Sequence, residues 1–272
     1  MLNEFARTEL VIGRDAMDCM KAARVAVFGV GGVGGNCIEA LARCGIGTLD
    51  LIDDDRICLT NINRQVFATH KTVGKYKVDA AEERIHEISP KTVVNKYKMF
   101  YLPSTRDQID FNQFDYIIDA IDTVTAKLDI IEQAVACHVP IISSMGCGNR
   151  VDPSKLVIKD IYETSGDPLA RVMRRELRKR GNQKLTVCCS TEKPLRPLDI
   201  DDLSCRYHCV CPPGTERKCT DRRDIPGSTS FVPPAAGIMI ASYVMRDLSS
   251  FDPEHRIRPR TWAEEYRRDH AQ

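Results

Sequence analysis

The 272-residue chain has no apolar run long enough to cross a bilayer comfortably. Its longest late candidate, "FVPPAAGIMIASYVM", is too short and too proline-marked, and it predicts a buried helix. The opening stretch, "MLNEFARTELVIGRDAM", lacks an apolar h-region, so no signal peptide is expected. Charge of one sign is scarce as well. A formal net charge of +1 argues against wholesale coating of nucleic acid, while leaving room for a local basic patch. CxxC pairs are absent, although the chain holds 12 cysteines. Without export signals, so many thiols imply a reducing, cytoplasmic compartment unless some of them bind metal. What is present, 43% hydrophobic and 28% charged residues, can bury a sizeable core as one large domain or one domain with an appendage.

Strand and helix patterns alternate from the first apolar run onward. "RVAVFG" (Arg24 to Gly29) predicts a buried strand, "GGNCIEALARCGIG" a helix stopped by Gly45 and Gly47, and "TLDLID" (Thr48 to Asp53) a second strand. An amphipathic helix is predicted over Gly74 to Ile88, then strands near "TVVNKYK" and over Phe114 to Asp122. A helix at "AKLDIIEQAVACH" and a strand at "VPIISS" continue the alternation. Such a pattern builds a parallel sheet covered on both faces. Beyond about Gly146 it weakens: "KLVIKD" and "KLTVCC" read as strands around a strongly basic helix, "PLARVMRRELRKRG". A loop-rich stretch then precedes the last apolar helix, and residues 251–272 form a polar tail. No internal repeat is visible.

Gly29-x-Gly31-x-x-Gly34 lies between a predicted strand and a predicted helix. Such glycines permit a tight turn and close approach to phosphate at a helix N-terminus. Asp53, ending the second strand, is placed to accept hydrogen bonds from ribose hydroxyls. The bland alternative is a turn that serves only helix–sheet packing. By itself the set suggests NAD, yet "LIDDDRICLTNINRQ" continues differently. Asn61, Asn63 and Arg64, with Lys77 beyond them, are donors suited to a triphosphate. Asp119 and Asp122 in "IDAIDT" fall at the C-terminal end of a strand, where open α/β sheets bind ligands. Asp122 reads either as a magnesium ligand or as a helix N-cap.

"RVAVFGVGGVG", "LIDDD", "TNINRQ", "GKYKVDAA" and "IDAIDT", in that order over Arg24 to Thr123, resemble the ubiquitin-activating-enzyme-like adenylyltransferase superfamily. "FARTELVIG", "DPLARVMRRELRK" and "RRDIPGSTSFVPPAAGIMIASYVMRDL" resemble its branch that dehydrates threonylcarbamoyladenosine in tRNA. The likeness covers roughly residues 5–248. It implies a Rossmann-like, doubly wound, mainly parallel α/β sheet with a mixed second half. It also implies a single domain over 1–250, with a nucleotide half at about 20–150 and a substrate or partner half at about 151–250. Gly29, Gly31, Gly32 and Gly34 would hold ATP, Asp53 the ribose, and Asn61, Arg64 and Lys77 the surroundings of the phosphates, with Asp55 in the same cofactor-binding set. Asp122 would bind Mg2+, and Arg7 would reach the neighbouring site across a homodimer. The implied reaction adenylates a carboxylate and closes an oxazolone ring, with no protein nucleophile. The sequence leaves open a monovalent cation near "MGCGNRVDP" and a sulfur-relay partner protein.

The departures matter. Relatives that activate sulfur carriers hold zinc on two CxxC pairs; here Cys205, Cys209, Cys211 and Cys219, with His208 among them, offer a metal site or a set of reduced thiols. Cys188 and Cys189 fall where protein-conjugating relatives keep a thioester cysteine, but their apolar run predicts core thiols. Three readings compete: a tRNA-modifying enzyme, an adenylyltransferase acting on the C-terminus of a ubiquitin-like sulfur carrier, and a non-catalytic nucleotide-binding partner. Arg7, Arg64, Lys77 and Asp122 together disfavour the last. Arg171, Arg174, Arg175 and Arg178, at i, i+3, i+4 and i+7, predict one basic face for tRNA phosphates, extended by Lys179 and Arg180 and opposed only by Glu176. The rival reading of that face is a solvated surface paired with acids elsewhere.

Overall fold

Alternating side chains along the central strands enter two separate cores, which is why the sheet must be covered twice. In β1 (Arg24–Phe28), Val25 and Val27 pack on one face while Ala26 and Phe28 pack on the other. The computed structural model describes residues 2–198, 200, 212 and 226–253. Two short helices, α1 (Ala6–Ile12) and α2 (Arg14–Ala22), precede β1. There follow α3 (Gly32–Arg43), β2 (Thr48–Ile52), α4 (Lys77–Ile88), β3 (Val93–Tyr97), β4 (Tyr116–Asp119), α5 (Val124–Ala136) and β5 (Ile141–Ser144). The chain continues through β6 (Leu156–Asp160), α6 (Pro168–Lys179), β7 (Thr186–Ser190) and α7 (Val232–Leu248).

The strands form one seven-stranded sheet in the order β3-β2-β1-β4-β5-β7-β6. All pairs are parallel except β6 with β7, the mixed second half that the resemblance implied. Strand order reverses between β1 and β4, so the crevice above their C-terminal ends is where a doubly wound sheet binds ligands. Helix α7 belongs to the later part of the chain but packs along α3. A Cβ on Gly237 would lie 2.2 Å from the Val33 carbonyl oxygen, so only glycine allows α7 this approach.

Two sequence expectations are corrected here. The strand predicted over Phe114 to Asp122 is only Tyr116–Asp119, and residues 120–123 peel away before α5. Asp119 is not a ligand-facing carboxylate. It is fully buried, 2.9 Å from Lys127 Nζ, and it accepts the Ser143 hydroxyl at 2.6 Å. Lys127 Nζ also donates to the carbonyls of Ser144 and Ile121, so this buried pair stitches β4, β5 and α5 together.

Helix α6 turns Ala170, Met173 and Leu177 inward, a stripe at helical spacing. Arg174 flanks that stripe and bends inward, donating to the Thr164 carbonyl at 3.0 Å and to the Thr164 hydroxyl. The four arginines therefore do not share one exposed face. Arg171, Arg175 and Arg178 remain exposed, and Arg178 lies over the Tyr162 ring. Glu132 joins Glu176 in opposing the charge, since Arg180 Nε reaches it at 2.9 Å. Among the described residues, no helix is long and apolar enough to cross a membrane.

Candidate functional site

A cavity of about 590 Å3 opens at the reversal point of the sheet. Its floor is the turn after β1. Gly29 has φ 92°, and a Cβ there would sit 2.8 Å from the Ala120 carbonyl oxygen. A Cβ on Gly34 would sit 1.8 Å from the carbonyl oxygen of Gly29, which fixes how closely α3 starts against β1. The backbone N–H groups at the start of α3 therefore face the cavity beside Gly31 and Gly32.

Asp53 closes one side. Its two carboxylate oxygens accept the backbone N–H groups of Val30 at 2.7 Å and Asp55 at 2.8 Å, so each keeps acceptor capacity for a ligand hydroxyl. Burial pushes this carboxyl above its ordinary range, and nearby Lys77 opposes the effect. Lys77, at the first turn of α4 and almost buried, bonds Asp55 Oδ2 at 2.7 Å and lies 3.6 Å from Asp53 Oδ1. Carboxylate oxygens of Asp53, Asp54 and Asp55 all lie within 4.8 Å of one another, a donor set of the kind Mg2+ takes.

Gly29, Gly31, Gly32, Asp53, Asp55, Asn61, Arg64, Lys77 and Asp122 all line this one cavity. Gly34 lies beneath it, against the Gly29 carbonyl. Asn63 does not line it. Its amide donates to the Ser228 carbonyl at 2.9 Å and its oxygen accepts Arg64 Nη1 at 2.9 Å, so it holds a loop and orients Arg64. Asn61 likewise ties its own loop, accepting the Cys58 backbone N–H. Asp122 is not the N-cap of α5; that position is Thr123, and Asp122 stands exposed in the cavity wall. Arg7 lies exposed on α1, away from its own cavity. Cys205, Cys209, Cys211 and Cys219 lie outside the described residues. Cys188 and Cys189 are buried in β7, and burial raises both thiols above the ordinary cysteine value, Cys188 well above it.

Sequence reasoning missed Arg150 and Asp167 in the opposite wall. Asp167 had one legible signal, since "GDPLA" places an acid just before a helix-starting proline. It does cap α6, accepting the Ala170 N–H at 2.9 Å.

This arrangement places a glycine turn at a helix start, the acid Asp53, two cations and a carboxylate cluster in one crevice. It defines a nucleotide-binding adenylyltransferase-type fold, and the comparisons agree. The chain belongs to the ThiF family, whose sequence model matches residues 5–268. It is similar to the tRNA threonylcarbamoyladenosine dehydratase of Bacillus subtilis, 40% identical over 249 residues that span 91% of this chain and 95% of that one. The enzyme of the same name from Haemophilus influenzae is 37% identical over 202 residues, 74% of this chain and 75% of that one. Among solved structures, E. coli TcdA, a tRNA N6-threonylcarbamoyladenosine dehydratase in complex with ATP, superposes with a TM-score of 0.76. It shares 28% identity over 94% of this chain and 96% of that one.

Proposed function

We propose that this protein is an ATP-dependent enzyme that adenylates the carboxylate of threonylcarbamoyladenosine in tRNA and closes it to the oxazolone. The observation that carries the reading is the near-full-length likeness to a dehydratase of that name, joined to a cavity lined by Gly29, Gly31, Gly32, Asp53, Arg64 and Lys77. In this reading the turn at Gly29 and the start of α3 hold the phosphates, and Asp53 accepts the ribose hydroxyls. Arg64 and Lys77 offset charge that develops as the substrate carboxylate attacks the α-phosphorus and pyrophosphate leaves. Asp122, with the Asp53–Asp55 cluster near the same cavity, would hold Mg2+, which neutralises phosphate charge when bound.

The ureido oxygen of the same molecule then attacks the acyl carbon. A ring C–O bond forms, the bond to AMP breaks, and the ureido nitrogen gives up its proton. Holding both groups in one molecule makes this step intramolecular, so no protein nucleophile is required. The buried Cys188 and Cys189 fit that account. The enzyme acts in the cytoplasm as a homodimer, each Arg7 completing the neighbouring site. The steps call for neither a monovalent cation nor a sulfur-relay protein. The absence of any CxxC pair weighs against the sulfur-carrier alternative.

Incubation with ATP, Mg2+ and tRNA bearing the modification, followed by nucleoside mass spectrometry, tests the reading. Loss of one water with release of AMP and pyrophosphate is expected. An adenylated protein C-terminus with unchanged tRNA would overturn it.

A further inference from the structure

Arg150 is 2% exposed yet lines the cavity, in the wall facing the nucleotide residues. Its Nη2 bonds Asp167 Oδ2 at 2.9 Å, and Asp167 is itself 1% exposed. Among the described residues, Nε and Nη1 of this guanidinium have no hydrogen-bond partner. A buried cation with donors left over is costly unless something else takes them up.

The surroundings hold the group rigidly. Asn149 takes up the left-handed region at φ 58°, which turns the chain just before Arg150. The Asn149 N–H bonds the Gly227 carbonyl, and the Asn149 carbonyl accepts from Leu195. The Arg150 carbonyl accepts the Thr229 hydroxyl. Asp167 is equally fixed, one oxygen on Arg150 and the other capping α6. The guanidinium is thus anchored through Asp167 in the lining of the same cavity that Arg64 and Lys77 line.

We propose that Arg150, aligned by Asp167, binds the carboxylate of the acyl substrate before adenylation; this rests on the function proposed above. Nη2 is taken by Asp167, so the guanidinium has donors left for one compact anion such as a carboxylate. In the proposed reading Arg64 and Lys77 already attend the triphosphate. A cation on the carboxylate also lessens its repulsion from the phosphates it must approach. One charge-assisted hydrogen bond of this kind corresponds to roughly 10- to 100-fold in binding.

The test compares wild type, Arg150→Gln and Arg150→Lys with modified tRNA and with the same tRNA methyl-esterified at the threonyl carboxylate. ATP affinity and thermal unfolding are measured in parallel. Wild type should bind the free acid about 10- to 100-fold more tightly than the ester. Arg150→Gln should bind both alike and dehydrate the acid correspondingly more slowly, with ATP affinity kept, and Arg150→Lys should recover part of the preference. An Arg150→Gln enzyme that still prefers the acid, or loss of ATP binding and melting temperature in both variants, would overturn the assignment and leave Arg150 structural. Wild-type protein that removes no water from modified tRNA would overturn the underlying function first.

Discussion

Lys77 and Asp55 form a short ion pair in the wall of the nucleotide cavity, with Lys77 Nζ 2.7 Å from Asp55 Oδ2. Lys77→Ala would leave Asp53 and Asp55 facing each other without the cation between them. We expect AMP formation to fall by about a hundredfold or more, the usual cost of losing one positioned donor. Single-turnover assays at saturating ATP check this, and an unchanged rate would remove Lys77 from the phosphate set.

Asp53 gives a pH signature with two opposite signs. Burial raises its carboxyl in the folded state, so the native form holds the proton more tightly than the unfolded one. Its contribution to stability therefore grows as pH falls through the window between the ordinary and raised values. ATP affinity should run the other way if, as proposed, ribose hydroxyls donate to the ionised Asp53 carboxylate. Calorimetric titrations at successively lower pH should show affinity falling toward acid. Asp53→Asn should bind weakly and show a flatter profile.

Gly34→Ala places a methyl 1.8 Å from the Gly29 carbonyl oxygen, so the turn or the start of α3 has to shift. Overpacking of this kind costs about 1–3 kcal/mol. ATP affinity should drop with stability, because the displaced backbone is the cradle itself. Denaturant unfolding with and without ATP separates the two losses.

Lys127→Met strands the carboxylate of Asp119 in the core. A loss of about 3–5 kcal/mol is expected on urea unfolding. Adding Asp119→Leu should restore much of it, since removing both charges avoids the uncompensated one. No recovery in the double variant would mean that the Ser143 and Ser144 bonds carry the stability.

On α6, the triple variant Arg171→Ala/Arg175→Ala/Arg178→Ala should raise the KM for tRNA and lower its salt dependence, by about one slope unit per lost phosphate contact. Arg174→Ala should behave differently, lowering melting temperature through the lost Thr164 bonds with little change in salt slope. Equal salt slopes in the triple variant and wild type would assign the face to another partner.

The contrast between Arg174 and its neighbours shows where sequence reading stops. Spacing along "LARVMRRELRK" tells which arginines share a side, but not that Met173 and Leu177 define the buried stripe beside Arg174. Strand and helix order was legible because each element carries its own period of 2 or 3.6. The glycine turn, Asp53, Arg64 and Lys77 were legible because they follow one another in a short, ordered run. Arg150 and Asp167 were not, since their pairing joins a loop to a helix cap 17 residues on. Asp119 misled for the reverse reason: its strand-end position matches that of a ligand acid, and only the fold brings Lys127 beneath it.

Helix α7 has a consequence for synthesis. Pro233 sits under Gly32, and Gly237 against Val33, so the phosphate cradle near the beginning of the chain is backed by a helix near its end. A chain synthesised only as far as its middle lacks this backing, so the turn after β1 is braced only once residues through Leu248 have emerged from the ribosome.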